Sequence, residues 1–505
     1  MPETLDETYE RTLRDINKAD SEFAHRLFQC VAVASRPLRV AELAEFLALD
    51  FEAGQIPIFR EDWRPEDPLE AVLSTCSTLL SLINIDDSAV IQFSHYSVRE
   101  FLTSPRFAEK RDTISRHYHV SLTSAHSLVT QACLGILLQL DENITSDSLD
   151  KSPLAEYAAK HWVEHARFEG VSQNAEEWMK PLFDPSKPHL AVWLWIYDPI
   201  RPYGRAERPS PPCATPLHYA AYCGLHAIVK FLVIERPQDV NSQDRYDDST
   251  PLHMASEQGN MEIARTLIEH GADLSAKDDE AWTPLHRALS RGHVDIARLL
   301  VERGADVSAK GDDGWTPLHL ASTRGCLDLT RFLIERGADV SAEETYGWTP
   351  LHRAASNGHV DLARFLVEGG ADVSAKDQYG WTPLNRALSN GHIDLARFLA
   401  EYGGAAKSED GSSPLHMVLS EGHVDLAWFL VEHGANVSAK DAIGSTPLHW
   451  ASSHGHGDLV QLLVAYGADV LATDEDGRTP LDMAYFWDHM EVAQFLIDHG
   501  ADATA

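Results

Sequence analysis

The chain has 505 residues, 44% of them apolar, which is more than one domain needs and predicts several separate cores. Its formal net charge of -35 repels phosphate backbones and anionic lipid, so nucleic acid and membrane partners are disfavoured. Six widely spaced cysteines without a C-x-x-C pair are typical of reduced thiols, and no signal peptide or long apolar run is evident. We therefore expect a cytoplasmic protein.

Helices followed by a hairpin are predicted for residues 1–112. A capping box at Thr4–Glu7 precedes the first helix, and a later helix is predicted over residues 67–83. Alternating apolar residues then predict a hairpin with its turn at residues 86–88 and its second strand at 90–93. This order resembles a winged helix. The helix that would enter a DNA groove, residues 67–83, contains no Lys or Arg, so DNA binding is not expected.

Three segments of this region carry a more specific resemblance. They are PETLDETYER at residues 2–11, RPL at 36–38 and FSHYSVREFL at 93–102. These segments resemble the part that follows the ATPase core in fungal NACHT-type STAND proteins, receptor-like switches that end in a winged helix and a repeat array. The resemblance implies that the chain corresponds to the C-terminal part of such a protein and lacks the ATPase core.

The same resemblance implies a role for His95, because in that family the histidine of a Phe-x-His-x-Ser motif contacts the diphosphate of ADP. No Gly-x-x-x-x-Gly-Lys-[Ser/Thr] phosphate loop occurs in the sequence, and a single imidazole does not bind nucleotide usefully. The alternative is that His95 caps the following helix or bonds backbone. Both roles stay open, and no cofactor is expected.

Residues 113–200 are predicted to form a helical spacer. Helices are expected over residues 120–140, 154–168 and 178–182, and the segment PLAEYAAKHW at 153–162 resembles the bridge to ankyrin repeats in the fungal proteins. Their helical, apolar surroundings place three tryptophans in the core: Trp162, Trp193 and Trp195. Residues 201–212 contain four prolines and are predicted to be a linker.

The remaining residues, 213–505, are periodic. Thr-Pro-Leu-His or a close variant recurs with proline at 216, 251, 284, 317, 350, 383, 414, 447 and 480. Six of the eight gaps are 33 residues, one is 35 and one is 31. This regularity predicts about nine copies of one structural unit.

Residues 347–373 illustrate the structure that is predicted for each unit. Glycine forms a tight turn, proline begins a short helix, Gly358 closes it, and apolar residues at helical spacing from Val360 to Leu366 predict a second helix. Helix, turn, helix and hairpin in 33 residues resemble the ankyrin repeat. The predicted fold class is therefore mainly α, with a winged-helix-like and helical N-terminal part before an ankyrin-repeat α-solenoid with β-hairpin tips.

The resemblance implies that a protein partner binds the concave face, at the hairpin tips and the exposed edge of each first helix. Those positions are rich in aromatic residues and arginine, the side chains that supply most interface energy. The candidate partner-binding residues are Trp282, Trp315, Trp348, Trp381, Tyr346, Tyr379, Arg291, Arg324, Asn357 and Asn390. The alternative is that each indole stacks on charged side chains of the adjacent hairpin and stabilises the array.

The histidines do not have metal-ligand spacing. Most occupy the repeated Leu-His and Gly-His positions, where the ankyrin resemblance implies hydrogen bonds to turn backbone. No paired carboxylates or nucleophile with a base suggest catalysis. We expect a non-enzymatic recognition scaffold with protein partners and no small-molecule substrate. The alternative is the sensor portion of a NACHT-type, nucleotide-driven signalling switch.

Overall fold

A computed structural model describes residues 5–18, 20–76, 78–85, 88–110, 112–171, 175–201, 209–403, 413–420 and 423–501. The structure is 56% helix and 4% strand, in agreement with the predicted mainly α class. It divides into two compact units, residues 1–273 and 274–505, each of which is described by itself. Thr4, the turn residues 86 and 87, most of the predicted linker and the short approach to the seventh repeat lie outside the described residues. The predicted domain boundaries stay predictions.

The N-terminal part of the first unit combines helices with a small sheet. Strands β4 (Leu80–Ile85) and β5 (Ser88–Phe93) pair in antiparallel register, with Leu80 opposite Phe93. Strand β1 (Leu38–Arg39) pairs with the other edge of β5. The elements of this part are α1 (Leu5–Asp15), α2 (Ser21–Val33), β1 (Leu38–Arg39), α3 (Val40–Glu45), β2 (Leu49–Asp50), β3 (Ile58–Phe59), α4 (Pro68–Cys76), β4 (Leu80–Ile85) and β5 (Ser88–Phe93), with 3-10 turns at Phe46–Ala48 and Glu61–Trp63.

The predicted helix over residues 67–83 is wrong in its second half. Helix α4 ends at Cys76, and residues 80–85 form strand β4. Leu80 and Ile83 are opposite Phe93 and Val90 across the ladder, and a short apolar run of this kind fits a strand as well as a helix until its partner is known. Pairing with β5 decides the outcome. Helix α4 itself still carries no basic residue.

Further helices complete the first part of this unit. Helix α8 (Leu122–Leu137) packs against α2 and α10 (Pro153–Ala166). The predicted core tryptophans are confirmed, since Trp162, Trp193 and Trp195 are 0%, 1% and 7% exposed. The Trp193 indole donates a hydrogen bond to the Ala159 carbonyl at 2.9 Å. The helices are α5 (Tyr96–Thr103), α6 (Pro105–Glu109), α7 (Thr113–Tyr118), α8 (Leu122–Leu137), α9 (Ser146–Leu149), α10 (Pro153–Ala166), α11 (Glu176–Met179) and α12 (His189–Ile196), with a 3-10 turn at Lys180–Phe183.

One segment among the described residues, Thr113–Leu137, is long and apolar enough to span a bilayer by length and composition. Within its most apolar window, 56% of the residues are buried inside the protein. Gly135 shows how closely α8 is covered, because a Cβ there would lie 2.5 Å from the Pro57 carbonyl oxygen. Core helices of soluble proteins pass the same length and composition test.

The rest of the described chain consists of paired helices. In the first unit they are α13 (Pro216–Tyr222), α14 (His226–Glu235), α15 (Pro251–Gln258) and α16 (Met261–Glu269). In the second unit they are α17 (Pro284–Arg291), α18 (Val294–Glu302), α19 (Pro317–Arg324), α20 (Leu327–Glu335), α21 (Pro350–Ser356), α22 (Val360–Glu368), α23 (Pro383–Ser389), α24 (Ile393–Glu401), α25 (Pro414–Ser420), α26 (Val424–Glu432), α27 (Pro447–Ser453), α28 (Gly457–Ala465), α29 (Pro480–Phe486) and α30 (Met490–Asp498).

The sequence explains where each first helix begins and ends. Thr349 is the N-cap of α21, and its backbone is extended, while Pro350 occupies the first helical position. Gly358 follows the helix with a φ of +72°, and a Cβ there would lie 2.6 Å from the His392 ring. Both the left-handed backbone and the close approach therefore require glycine at this position. Leucine and alanine from both helices of each pair, such as Leu351, form the buried core.

Candidate partner-binding face

The first-helix histidines belong to the scaffold, as predicted. The backbone N–H of Thr349 donates to His352 Nδ1 at 3.1 Å, so Nε2 carries the proton and donates to the Trp381 carbonyl at 3.0 Å. His286 and His319 make the same bonds to the carbonyls of Trp315 and Trp348. Each imidazole therefore caps its own helix and joins it to the following repeat.

Burial of these imidazoles has an electrostatic consequence. Removal from water disfavours the charged form and lowers the pKa of His352 from its ordinary value to about 4, and the pKa values of His286 and His319 fall to about 4 as well. The bond to the next carbonyl opposes this shift but is the smaller effect. All three histidines are neutral at pH 7.

Three of the four candidate tryptophans alternate with arginines. The Arg353 guanidinium carbon lies 4.0 Å from the Trp315 ring centroid and 4.2 Å from that of Trp348. Arg386 lies 4.3 Å from Trp348 and 4.6 Å from Trp381. We call these five residues the tryptophan–arginine ladder. All three indoles are half-buried, so the stacking role considered in the sequence analysis is present in the structure.

A buried acid lies behind each of these arginines. The Asp377 carboxylate accepts hydrogen bonds from Arg386 Nε at 3.0 Å and from the Trp381 backbone N–H at 2.9 Å. Asp278 holds Arg287 at 2.7 Å in the same way, and Arg287 lies 5.0 Å from the Trp282 ring. Acid and arginine are nine residues apart in both cases. Each acid thus fixes the turn and the guanidinium together.

The repeat with its proline at 317 has neither partner of the pair. Gly311 and Leu320 occupy the positions that Asp278 and Arg287 occupy one repeat earlier. A Cβ on Gly311 would lie 2.7 Å from the Trp282 ring, so the indole packs directly on the turn backbone. Loss of the acid therefore coincides with loss of the arginine, which avoids leaving either charge buried and unpaired.

The tyrosines among the candidate residues are the most accessible aromatic ones. Tyr346 and Tyr379 are 48% and 57% exposed at the repeat tips. The tips are joined through backbone, since the Gln378 N–H donates to the Tyr346 carbonyl at 2.9 Å. The tyrosine rings therefore stand on rigid turns while remaining available to a partner.

The candidate residues on the first-helix edge are exposed, but most of them also bond backbone. Asn357 and Asn390 donate to the carbonyls of Arg353 and Arg386 at 2.8 and 2.9 Å, at the C-terminal ends of their helices. Arg324 donates to the Ser290 carbonyl of the preceding repeat, and Arg291 is exposed. The exposed edge is thus partly ordered by its own hydrogen bonds.

Comparison with known proteins decides the family. A model of ankyrin repeats matches residues 217–311, 307–377, 375–441 and 439–505, which together make up more than half of the chain. The chain belongs to the ankyrin-repeat family. A second model, the winged helix domain of GPI inositol-deacylase, matches residues 10–112 of this ankyrin-repeat protein, so the predicted N-terminal winged helix is confirmed.

Curated relatives match the chain over different lengths. The azaphilone pigments biosynthesis cluster protein L of Monascus ruber is 27% identical over 54% of this ankyrin-repeat protein and 60% of its own length. Alpha-latrocrustotoxin-Lt1a of Latrodectus tredecimguttatus is 42% identical over 13% of the chain and 4% of its own. Ankyrin repeat domain-containing protein 13B of Mus musculus is 32% identical over 16% and 13%. The chain thus spans at most 60% of these relatives.

His95 caps a helix in this ankyrin-repeat protein. Its Nδ1 accepts a hydrogen bond from the Ser97 backbone N–H at 3.3 Å and lies 2.6 Å from the Ser97 hydroxyl. The ring is exposed and lies 4.3 Å from the Tyr96 ring. The capping alternative is confirmed by this geometry, while the nucleotide role stays a prediction. Among the described residues, no group of three histidine, cysteine or acidic side chains could hold a metal ion.

Three arginines were not among the predicted site residues: Arg353 and Arg386 of the ladder, and Arg287 beside Trp282. Each of these arginines directly follows the fourth residue of the Thr-Pro-Leu-His motif or of its asparagine variant, five residues after a tryptophan and nine after an acid. The repeated spacing of acid, tryptophan and arginine, and the loss of both acid and arginine at Gly311 and Leu320, could have indicated this contact from the sequence. This pattern predicts a local triad of acid, aromatic ring and cation.

Replacement of Glu344 by aspartate should stabilise the protein. Glu344 Oε1 lies 3.8 Å from Arg353 and accepts the Trp348 N–H at 3.3 Å. Both distances are longer than those of the equivalent Asp377 contacts. Among the described residues, the buried Arg353 Nε has no hydrogen-bond partner. We expect Glu344→Asp to raise the free energy of unfolding by about 1 kcal/mol, because the shorter side chain can make both bonds. Urea denaturation of the full chain measures this. The reverse exchange, Asp377→Glu, should lower it, and equal effects of both variants would contradict the geometry.

Proposed function

We propose that this ankyrin-repeat protein is a non-enzymatic scaffold that binds protein partners in the cytoplasm through its concave face and repeat tips. The observation that supports this most strongly is the row of aromatic side chains at successive tips, Tyr346 and Tyr379 exposed and the tryptophans half-buried. Rigid aromatic side chains with a polar group supply large contact area at low entropic cost. No nucleic acid, membrane, cofactor or small-molecule substrate is part of the proposal.

Within this proposal the candidate residues divide by role. The tyrosines and the edge residues Arg291, Arg324, Asn357 and Asn390 contact the partner, whereas the tryptophans also hold the repeats together through their stacking on arginine. A partner that lies along the tips would cover the exposed tyrosine rings and the remaining indole edges. Tyrosine variants therefore test binding without disturbing the ladder.

The test is the double variant Tyr346→Ser, Tyr379→Ser in the full chain. Partners are captured with tagged wild-type protein, identified by mass spectrometry and purified, and their affinities are then measured singly. We expect the double variant to bind about ten-fold more weakly, since loss of an interface aromatic costs more than about 1 kcal/mol. The matched control is Tyr466→Ser, which removes a ring 52% exposed at the end of the second helix α28. Equal affinity of all three proteins would contradict the assignment.

A second candidate function is the sensor or regulatory portion of a NACHT-type signalling switch. The match of residues 10–112 to a winged helix domain and the Phe-x-His-x-Ser motif at His95 favour it. In that case the ring of His95 faces a nucleotide held by a separate ATPase core. Titration of the purified chain into a separate NACHT-type ATPase core loaded with fluorescent ADP distinguishes the two. The scaffold alone gives no saturable binding, and binding that is lost in His95→Ala supports the switch.

A further inference from the structure

The last two repeats contain an apolar cavity of about 370 Å³ that the site prediction did not include. We call it the C-terminal pocket. Two indoles and two imidazoles supply its aromatic walls, and Ile443 and Met483 supply aliphatic ones. Trp487 and Ile443 are 56% and 59% exposed, so the pocket opens to solvent. Its principal lining residues are Ile443, His449, Trp450, His454, Met483 and Trp487.

The polar groups of the pocket walls are already fixed. The Trp450 indole donates to Asp441 Oδ2 at 2.9 Å, and its ring stacks on His454 at a centroid distance of 5.7 Å and an angle of 11°. His449 uses one ring nitrogen on the Thr446 cap and the other on the Arg478 carbonyl, at 3.0 Å. The aromatic surfaces are thus held in place before a ligand arrives.

The tryptophan–arginine ladder shows what such walls contact elsewhere in this chain. There, a guanidinium lies between two indole faces at about 4 Å with a carboxylate behind it. Trp450 occupies the register position of Arg353, and Asp441 that of Glu344. Here the acid is present, an indole replaces the arginine, and Ser445 and Arg478 occupy the positions of the ladder's tryptophans.

Charge around the pocket favours a cation. Residues 441–501 contain ten Asp or Glu and a single Lys or Arg, Arg478, which pairs with Asp476 at 3.2 Å. Glu475 is exposed, and its backbone N–H donates to the Ile443 carbonyl at 3.0 Å, which places this acid beside the pocket rim. An acidic rim over aromatic walls attracts and then stacks a flat cationic group.

We propose that the C-terminal pocket binds an arginine side chain presented by a basic segment of the partner protein. The guanidinium stacks on Trp487 and Trp450, its aliphatic stem packs on Ile443 and Met483, and the carboxylates of Asp441 and Glu475 compensate its charge. Arginine fits better than lysine because its planar, weakly hydrated head can stack on indole. This inference rests on the proposed function and specifies the chemistry of the partner.

The test uses a small probe and needs no partner. The full chain is labelled with 5-fluorotryptophan, the Trp487 and Trp450 signals are assigned with Trp487→Phe and Trp450→Phe, and N-acetyl-arginine amide is titrated in. We expect these two fluorine signals to shift with a dissociation constant of about 1–10 mM, because stacking on two indole faces adds to burial of the aliphatic stem. N-acetyl-citrulline amide has the same shape without the charge and should bind at least about five-fold more weakly.

Two variants separate charge from stacking. Glu475→Gln keeps the turn but removes a rim charge and should weaken arginine binding about two- to three-fold without affecting citrulline. Trp487→Leu removes an exposed stacking face and should abolish the shift at Trp450. Equal binding of arginine and citrulline, or no shift with arginine, overturns the inference. If either result accompanies a tyrosine-dependent loss of partner affinity, the proposed function stands and this inference alone fails.

Discussion

Replacement of Asp377 by alanine should destabilise the protein by about 3–5 kcal/mol, the expected effect of breaking a buried ion pair from one side. The Asp377 side chain is fully buried, and Arg386 is only 16% exposed. The carboxylate also accepts the backbone N–H groups of Tyr379 and Trp381, both at 2.9 Å. Asp377→Ala therefore leaves one cation and two donors without their acceptor. Urea denaturation of the full chain, followed by tryptophan fluorescence, measures the loss.

The control for this prediction comes from the repeat two units earlier. Gly311 and Leu320 show that the same positions accept an apolar pair, so the double variant Asp377→Ala, Arg386→Leu removes both charges together. We expect the double variant to lose about 2–3 kcal/mol less than the sum of the two single variants. If the losses of stability in the two single variants simply added, Arg386 would contribute to stability independently of Asp377.

The second large effect is a loss of stability in mild acid. Burial lowers the pKa of His286, His319 and His352 from the ordinary 6.5 to about 4. The unfolded chain binds protons at these sites as the pH falls below about 6.5, whereas the folded chain does so only near pH 4. Stability from these groups is therefore complete above pH 6.5 and is lost between about pH 6.5 and 4, by at most about 3 kcal/mol per histidine.

His352→Asn isolates this effect from the titration of the acids. Asn385 occupies the same register position in the next repeat and accepts the Thr382 backbone N–H at 3.3 Å, so asparagine preserves the cap. We expect the variant to be about 1 kcal/mol less stable near pH 7.5, because the bond to the Trp381 carbonyl is lost. Its urea midpoint should fall less than that of wild type towards pH 4.5. Parallel pH profiles of the two proteins would show that His352 does not titrate as described.

The fold was largely predictable because its strongest signals are local. The spacing of the prolines, the glycine after most of the first helices and the apolar residues of the second helices act within one repeat, and the described residues confirm them. The helix prediction for residues 67–83 was wrong in its second half because the deciding contacts are not local. Whether Leu80 and Ile83 belong to a helix or a strand depends on pairing with β5, about ten residues further along the chain.

The candidate site was predictable only in part. Composition located the aromatic side chains at the tips, but whether an indole faces a partner or a guanidinium depends on contacts such as that of Trp315 with Arg353 in the following repeat. The C-terminal pocket illustrates the same limit. Trp450 and Trp487 lie on different repeats, and only stacking of their helices brings both to one cavity.

Because of the tryptophan–arginine ladder, the repeats cannot be exchanged freely for one another. Arg353 and Arg386 each reach back to the indole of the preceding repeat, so the contact has a direction along the array. Excision of residues 349–381 would put Arg386 in the position of Arg353, so a guanidinium would still lie between the Trp315 and Trp348 rings. Duplication of the repeat with Leu320 would instead add a repeat that has no arginine at this position. A change in the order of the repeats would therefore be tolerated only where each of these indole rings still contacts an arginine of the following repeat.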